Sequence, residues 1–433
     1  MPNPSEQSAA RAGAQVAPRY RWVVLGIAWL AMFMTFVDRL AWANVAASAS
    51  TSLHLPVAAL GGFVTAFYVG YVAANAATGI ITDRVGPRIT LPCALLALGI
   101  LTYCFSMTTS VAAGVVIQCL MGLAAGVDYA AVVKLIASWF AVRQRARAVG
   151  IVFTSISVAV IATNTGIPVE LLHTSWVAIY KVLGVTTAAS SLACFVFLRN
   201  SPESAGAFRG NRIPVRSFVL LLRDKNYWLT TLAGFGACWG GLGFMFWTNA
   251  LMQKGLGFSP VQSGLVGTVF GIASVVGSPL IGILSDWLGR PRKWITSAVI
   301  LTIAASLLVF GRLTALVPMQ MVAAILGIAA FGWGALVATI ITEIVGIELA
   351  GGAIGLSNAA QQLGGVLMPL AVGMVFQSTG SFHLAFVTLA AGPLLGGIAV
   401  LALREGPLAV NLEAGVQPIE ETPQTSAQAG ASN

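Results

Sequence analysis

The chain is 433 residues long, 57% hydrophobic and only 9% charged, with a mean hydropathy of +0.87. Soluble domains carry about 25% charged residues, so this composition excludes one and implies a polytopic membrane protein. The net charge of +9 does not signal a nucleic-acid partner, because the basic residues sit in short links between apolar runs.

Residues 1–21 are polar and read as a disordered N-terminus. They lack the charged start, short apolar core and cleavage site of a removable leader. Runs long enough to cross a bilayer, which takes about 20 residues, follow at 22–48, 57–82, 89–107, 111–138, 147–168 and 175–198. After a polar break at 199–227, six more lie at 228–252, 261–285, 294–311, 316–344, 350–377 and 383–403. The tail, 404–433, is rich in Ala, Gln, Ser, Thr and Pro and reads as disordered. Within the break, VRSFVLLLRDKNYW has the pattern of an amphipathic helix on the membrane surface and serves equally well as a solvated linker helix.

The first span holds FVDRLAWANVA, Phe36 to Ala46, with Asp38 and Arg39 adjacent inside an apolar run. A charge near the bilayer midplane costs roughly 2.5–3.5 kcal/mol, so each needs a partner or a water-filled cavity. Neighbours on a helix point about 100° apart. The two charges therefore seek different partners across a cavity, the alternative being mutual neutralisation for packing. Asn44 follows on the same span. In the second span Tyr68, Tyr71 and Asn75 share one face at i, i+3 and i+7. Asp128 is the only acidic residue buried in the fourth span, and Lys134 and Lys181 are near enough to span ends to snorkel. The seventh span carries Trp239, Trp247, Thr248 and Asn249. Its five glycines between Gly234 and Gly243 predict a broken, bendable helix. In the eleventh span Asn358 and Gln362 share a face, with Gln361 beside them. Buried amides want hydrogen-bond partners, and lining a cavity and gluing helices together satisfy that equally well.

Eighteen of the 23 basic residues fall on one side of this arrangement, which predicts that side, with both termini, to be cytoplasmic in an inner or plasma membrane. The five cysteines all fall within apolar runs and none has metal-ligand spacing. Neither a metal, a cofactor nor an enzymatic nucleophile is expected.

The chain also repeats itself. GIITDRVGPR, Gly79 to Arg88, recurs as GILSDWLGRPRK, Gly282 to Lys293, 203 residues later and after the second span of each half. Gly79 and Gly282 predict close helix approach, Asp83 and Asp286 sit at helix ends beside arginines, and Gly86 and Gly289 predict tight turns. This motif resembles that of the major facilitator superfamily, over residues 20–405. The resemblance implies an all-α fold of twelve transmembrane helices in two six-helix bundles, 22–198 and 228–403, that rock about a midplane site. It implies that Gly79, Asp83, Arg84, Gly86, Arg88, Gly282, Asp286, Gly289 and Arg290, with Arg143, gate the cytoplasmic side.

The first span, and GLAAGVDYAAVVKLIASWFAVRQRARAVG at Gly122 to Gly150, resemble the anion:cation symporter branch. That resemblance implies a monomeric, proton-coupled importer of a small organic anion. Asp38 and Arg39 match the branch's first-span element, and Trp139, Phe140 and the basic loop match its fourth-span element. Ala125 stands where the branch has a proton-linked glutamate. Asp128 is expected to take over part of that role, the alternative being a gate pair with Arg143 or Lys134. The expected substrate set is Arg39, Asn44, Tyr68, Tyr71, Trp247, Asn249, Asn358 and Gln362, with Asp38 and Asp128 as proton sites. Desolvation favours the neutral form of a carboxylate and a nearby arginine the charged form, so anion binding at an arginine promotes proton uptake nearby. A drug or metabolite exporter is the other reading. Its usual glycine-proline element is missing from the fifth span, GIVFTSISVAVIATNTGIPVE. Nitrate carriers have a glycine-rich element there, also missing, and organophosphate carriers a second arginine in the seventh span, whose body here has none.

Overall fold

A computed structural model describes residues 4–52, 57–140, 142–199, 221–288, 292–345 and 347–403. The protein is all-α. The helices are α1 (Pro4–Ser52), α2 (Val57–Val85), α3 (Pro87–Phe105), α4 (Val111–Ala125), α5 (Asp128–Trp139), α6 (Val142–Glu170) and α7 (Trp176–Phe197). A second set comprises α8 (Lys225–Leu256), α9 (Pro260–Leu288), α10 (Arg292–Phe310), α11 (Leu316–Val345), α12 (Ile347–Thr379) and α13 (Phe382–Leu401). Among the described residues, ten helices are long and apolar enough to cross a membrane, and Ala59–Asn75 and Val111–Ala125 are shorter apolar helices. Their outward side chains are apolar, with Ile283 68% and Trp287 82% exposed, as lipid-facing surface requires.

Short polar residues set the helix ends. Ser110, Ser175, Asp224 and Ser381 accept from the backbone N–H three residues on, satisfying a donor that has no partner within the helix. Gly86 turns the chain between α2 and α3 at φ 87°, with Pro87 opening the next helix.

The two sets of helices pack alike. In the first, α3 packs on α7 and α2 on α4; in the second, α10 packs on α13 and α9 on α11. Across the middle, α2 runs along α12 and α6 along α9. Each half is filled by an aromatic cluster with mostly edge-to-face or tilted rings: Trp42, Phe63, Phe105 and Tyr180 in one, Phe244, Phe310, Phe382 and Phe386 in the other.

Three features differ from the sequence expectation. The helix of the first span begins at Pro4, because SEQSAARAGAQ consists mainly of good helix formers despite its polarity. The fourth span is two helices, interrupted at Gly126–Val127. The seventh span is one unbroken helix, α8. Its glycines admit neighbours: a Cβ at Gly236 would strike the Gly392 backbone, one at Gly240 the Pro393 ring, and one at Gly243 the Leu389 side chain. Small residues bring helices together where lipid gives no hydrophobic drive. Of the expected surface helix, 215–220 lies outside the described residues; 221–223 is helical, and after Asp224 the remainder, from Lys225 on, opens α8, while the tail, 404–433, lies outside the described residues.

The GLAAG stretch shows the same device on α4. A Cβ at Gly122 would overlap the Phe67 carbonyl, and one at Gly126 would crowd Tyr71 and Ala74. Gly122→Ala is expected to destabilise the protein by about 1–3 kcal/mol, the usual cost of overpacking. A lowered melting temperature in detergent checks this.

Candidate functional site

A cavity of about 280 Å³ lies between the halves. Phe36 and Arg39 of α1 and Tyr71 of α2 line it, as do Phe153 and Ile156 of α6, residues 237–245 of α8, Phe331 and Trp333 of α11, and Asn358 and Gln362 of α12. Four of the sequence-predicted substrate residues therefore meet here: Arg39, Tyr71, Asn358 and Gln362.

Arg39 is held in an aromatic cage. Its guanidinium carbon lies 5.0 Å from the Phe36 ring centroid, 4.7 Å from Tyr68, 4.7 Å from Tyr71 and 5.9 Å from Phe67. The rings attract the cation through their quadrupoles. Arg39 Nη2 donates to the Tyr68 hydroxyl, so Tyr68 holds the arginine from behind while Tyr71 reaches the cavity. No ion pair between Arg39 and a carboxylate is present among the described residues. A guanidinium has five donor hydrogens, which leaves its fork available to the cavity.

The packing of α2 on α12 fixes heights along the cavity wall. Gly61 abuts the Pro369 carbonyl, Thr65 Oγ1 donates to the Val366 carbonyl at 2.8 Å, and the Tyr68 ring covers Gly365. Continuing this antiparallel register sets Tyr71 level with Gln362. Gln362 Oε1 is buried without a hydrogen-bond partner.

Other predicted lining residues serve elsewhere. Asn249 Nδ2 donates to Asn44 Oδ1 at 2.7 Å and to Asn164 Oδ1 at 2.8 Å. Asn44 is five residues beyond Arg39, about 7.5 Å along the helix at 1.5 Å per residue, away from the face that carries the chain's start. This amide triad joins the two halves beyond the cavity, on the side away from the chain's start, with Thr165 and Thr268 paired nearby at 2.9 Å. Trp247 is buried beside Gly61 in the same closure and does not line the cavity. Asn164 is not among the sequence candidates; its signal is the polar run Thr163–Asn164–Thr165 inside an apolar span. Gln361 and Trp239 bond to Ser357 and the Thr388 carbonyl, as packing contacts.

Removing Asn249 leaves two buried acceptors unpaired, at a cost of about 1–3 kcal/mol. Asn249→Ala is therefore expected to raise the population opened at this end by about tenfold. The check is maleimide labelling of Thr248→Cys in a cysteine-free background, with and without the substitution.

Asp38, Arg39 and Asp128 are the fully buried charges among the described residues, and all belong to the first half. The two aspartates do not line the cavity. Asp38 points into its bundle, among Thr102 and Thr187, with Tyr180 nearby. Asp128 opens α5 at the break in the fourth span, near Thr35 and Cys194. No hydrogen bond reaches any of the four carboxylate oxygens among the described residues. Adjacent charges do take different surroundings, but only Arg39 finds its own at the cavity. Asp128 makes no hydrogen bond to Lys134, and the Arg143 side chain lies outside the described residues.

Of the gate residues, Gly86 makes its turn and Arg88 is exposed. A Cβ added at Gly282 would meet nothing within 4 Å, so this glycine brings no helix close. On α9 that contact is made at Gly277, against Ile328. The side chains of Asp83, Arg84, Arg143 and Asp286, the surroundings of Gly79, and all of Gly289 and Arg290 lie outside the described residues. Arg292 pairs with Glu343 at 3.2 Å, linking α10 to α11.

A family model of the Major Facilitator Superfamily matches residues 27–369 and 249–427. The probable sulfoacetate transporter SauU of Cupriavidus necator is 24% identical over 408 residues, covering 90% of this chain and 94% of that protein. The hexuronate transporter of Bacillus subtilis is 22% identical, covering 86% and 91%. The crystal structure of a D-xylose-proton symporter superposes with a TM-score of 0.73 at 15% identity, covering 89% of this chain and 98% of that one.

Proposed function

We propose that this chain, which belongs to the Major Facilitator Superfamily, takes up a small organic anion by alternating access, with Arg39 as the anion's anchor. The observation that carries the reading is a buried guanidinium, caged by aromatic rings at the wall of a cavity between two halves, with no carboxylate paired to it. Its planar fork matches a carboxylate or sulfonate. Relatives named for sulfoacetate and hexuronate transport support an anion.

In this reading Tyr71, Asn358 and Gln362 complete the binding site and Tyr68 positions Arg39. Asn44, Asn164 and Asn249 close the site on the side away from the termini. Asp38 and Asp128 take up protons. Arg39 and Asp38 share α1 on different faces, so an anion on one face and a proton on the other act on the same rod. In this reading the termini are cytoplasmic and the chain lies in an inner or plasma membrane, which the gathering of basic residues in the links on that side supports. One chain supplies every group named, so a monomer in the bilayer suffices.

The test uses purified protein in vesicles made alkaline inside, with a panel of radiolabelled carboxylates outside. Accumulation of at least one acid above equilibrium is expected, collapsing when the pH gradient is dissipated. Proton-driven expulsion of substrate, without accumulation, would make the chain an exporter instead.

A further inference from the structure

The cavity has two unlike walls. Its charged and amide side chains come from two helices, Arg39 from α1 and Asn358 and Gln362 from α12, with Tyr71 of α2 level with Gln362. The other wall, from α6, α8 and α11, carries Phe153, Ile156, Met245, Phe331 and Trp333, and Phe331 is backed by Phe270 at 6.2 Å between ring centroids. No charge or amide among the described lining residues comes from α6, α8 or α11.

Hydroxyls buried against apolar rings lose their water partners without replacement. A sugar acid with a hydroxyl on every carbon would present several to this second wall. An apolar body would instead displace water from it. On the first wall, the buried, partnerless Gln362 Oε1 can only accept, and a donor next to the anion's carboxylate would satisfy it once the amide turns toward the cavity. At about 280 Å³ the cavity is at the small end of ligand pockets, which run about 300–1,000 Å³.

We infer that the anion is a small 2-hydroxy monocarboxylate with an aryl or branched-alkyl body. Its carboxylate sits on Arg39, its hydroxyl donates to Gln362 and its body lies against Phe331 and Trp333. The inference rests on the anion-carrier reading and narrows it. Among the described residues that wall offers a second charge only the neutral indole N–H of Trp333 and the Cys238 thiol, and no cation, so dicarboxylates are disfavoured with the polyols.

Binding of mandelate, phenylacetate, D-galactonate and sulfoacetate to the purified full chain, followed by calorimetry, tests it. Mandelate is expected to bind at least about tenfold more tightly than galactonate, given the apolar area it buries. It should exceed phenylacetate by about fivefold, the worth of one hydrogen bond. Gln362→Leu should erase the mandelate–phenylacetate difference by lowering mandelate affinity about fivefold more than phenylacetate affinity. Phe331→Gln should weaken mandelate without weakening galactonate. Galactonate binding as tightly as mandelate or better would overturn the inference and leave the carrier reading standing. Equal affinity for mandelate and phenylacetate in the wild type would overturn the hydroxyl contact. No binding by any of the four, with an Arg39→Lys variant indistinguishable from wild type in uptake of every acid of the wider panel, would overturn the carrier reading itself.

Discussion

Arg39→Lys is expected to lower anion uptake by about a hundredfold while the protein still inserts and folds. Lysine keeps the positive charge among Phe36, Tyr68 and Tyr71, so the cage does not face an empty, neutral hole. What is lost is the fork. An ammonium is a point charge that cannot make two parallel hydrogen bonds to a carboxylate, and a hydrogen bond to a charged group contributes about 1.5–3 kcal/mol. One such bond at the upper end of that range, or two at the lower, is worth about 3 kcal/mol, hence the hundredfold. Uptake at matched protein amounts, beside a melting curve, separates loss of grip from loss of fold. Wild-type kinetics in the variant would remove Arg39 from the site.

Asp38→Asn should abolish accumulation driven by a pH gradient and leave anion exchange intact. Asparagine fills the same volume among Thr102, Thr187 and Tyr180 but cannot change its charge. Exchange of labelled for unlabelled acid needs no net proton movement, so it should survive. Asp128→Asn is expected to act in the same direction and less strongly, because Asp128 sits on α5 while Asp38 shares α1 with the anchor. Accumulation unaffected in both variants would leave the two aspartates as structural charges.

The spans and the repeat are legible in the sequence because a bilayer forces long apolar runs and short links, and because helix ends take Ser, Asp and Gly. The cavity arginine, the proposed anchor, is legible for the same reason: an arginine inside an apolar run needs a purpose. The period of four that pairs Asn358 with Gln362 is readable too. Sorting the polar residues between cavity and closure is not. Asn44 and Asn249 look no different in sequence from Gln362, and what separates them is the height of one half against the other. That height is set by contacts such as Gly61 with Pro369, about three hundred residues apart in the chain. The glycines of α8 suggest a hinge that the structure lacks, for a similar reason. Glycine density signals bending or close packing alike, and the deciding neighbours, Gly392 and Pro393, belong to the last helix. The interruption before Asp128 has no proline to announce it.

Confinement of the buried charges to the first half has an electrical consequence. In the proposed reading a bound monoanion neutralises Arg39, and each aspartate that takes a proton loses its own charge. One proton carried per anion therefore moves no net charge across the membrane, whereas two move one positive charge inward. A step of that kind gains about 2.3 kcal/mol per 100 mV of membrane potential. The current evoked by adding substrate to a supported membrane thus reports how many of the two aspartates take part: none for one, a positive inward current for both. The second half, with no fully buried charge among its described residues, would move through the field without sensing it.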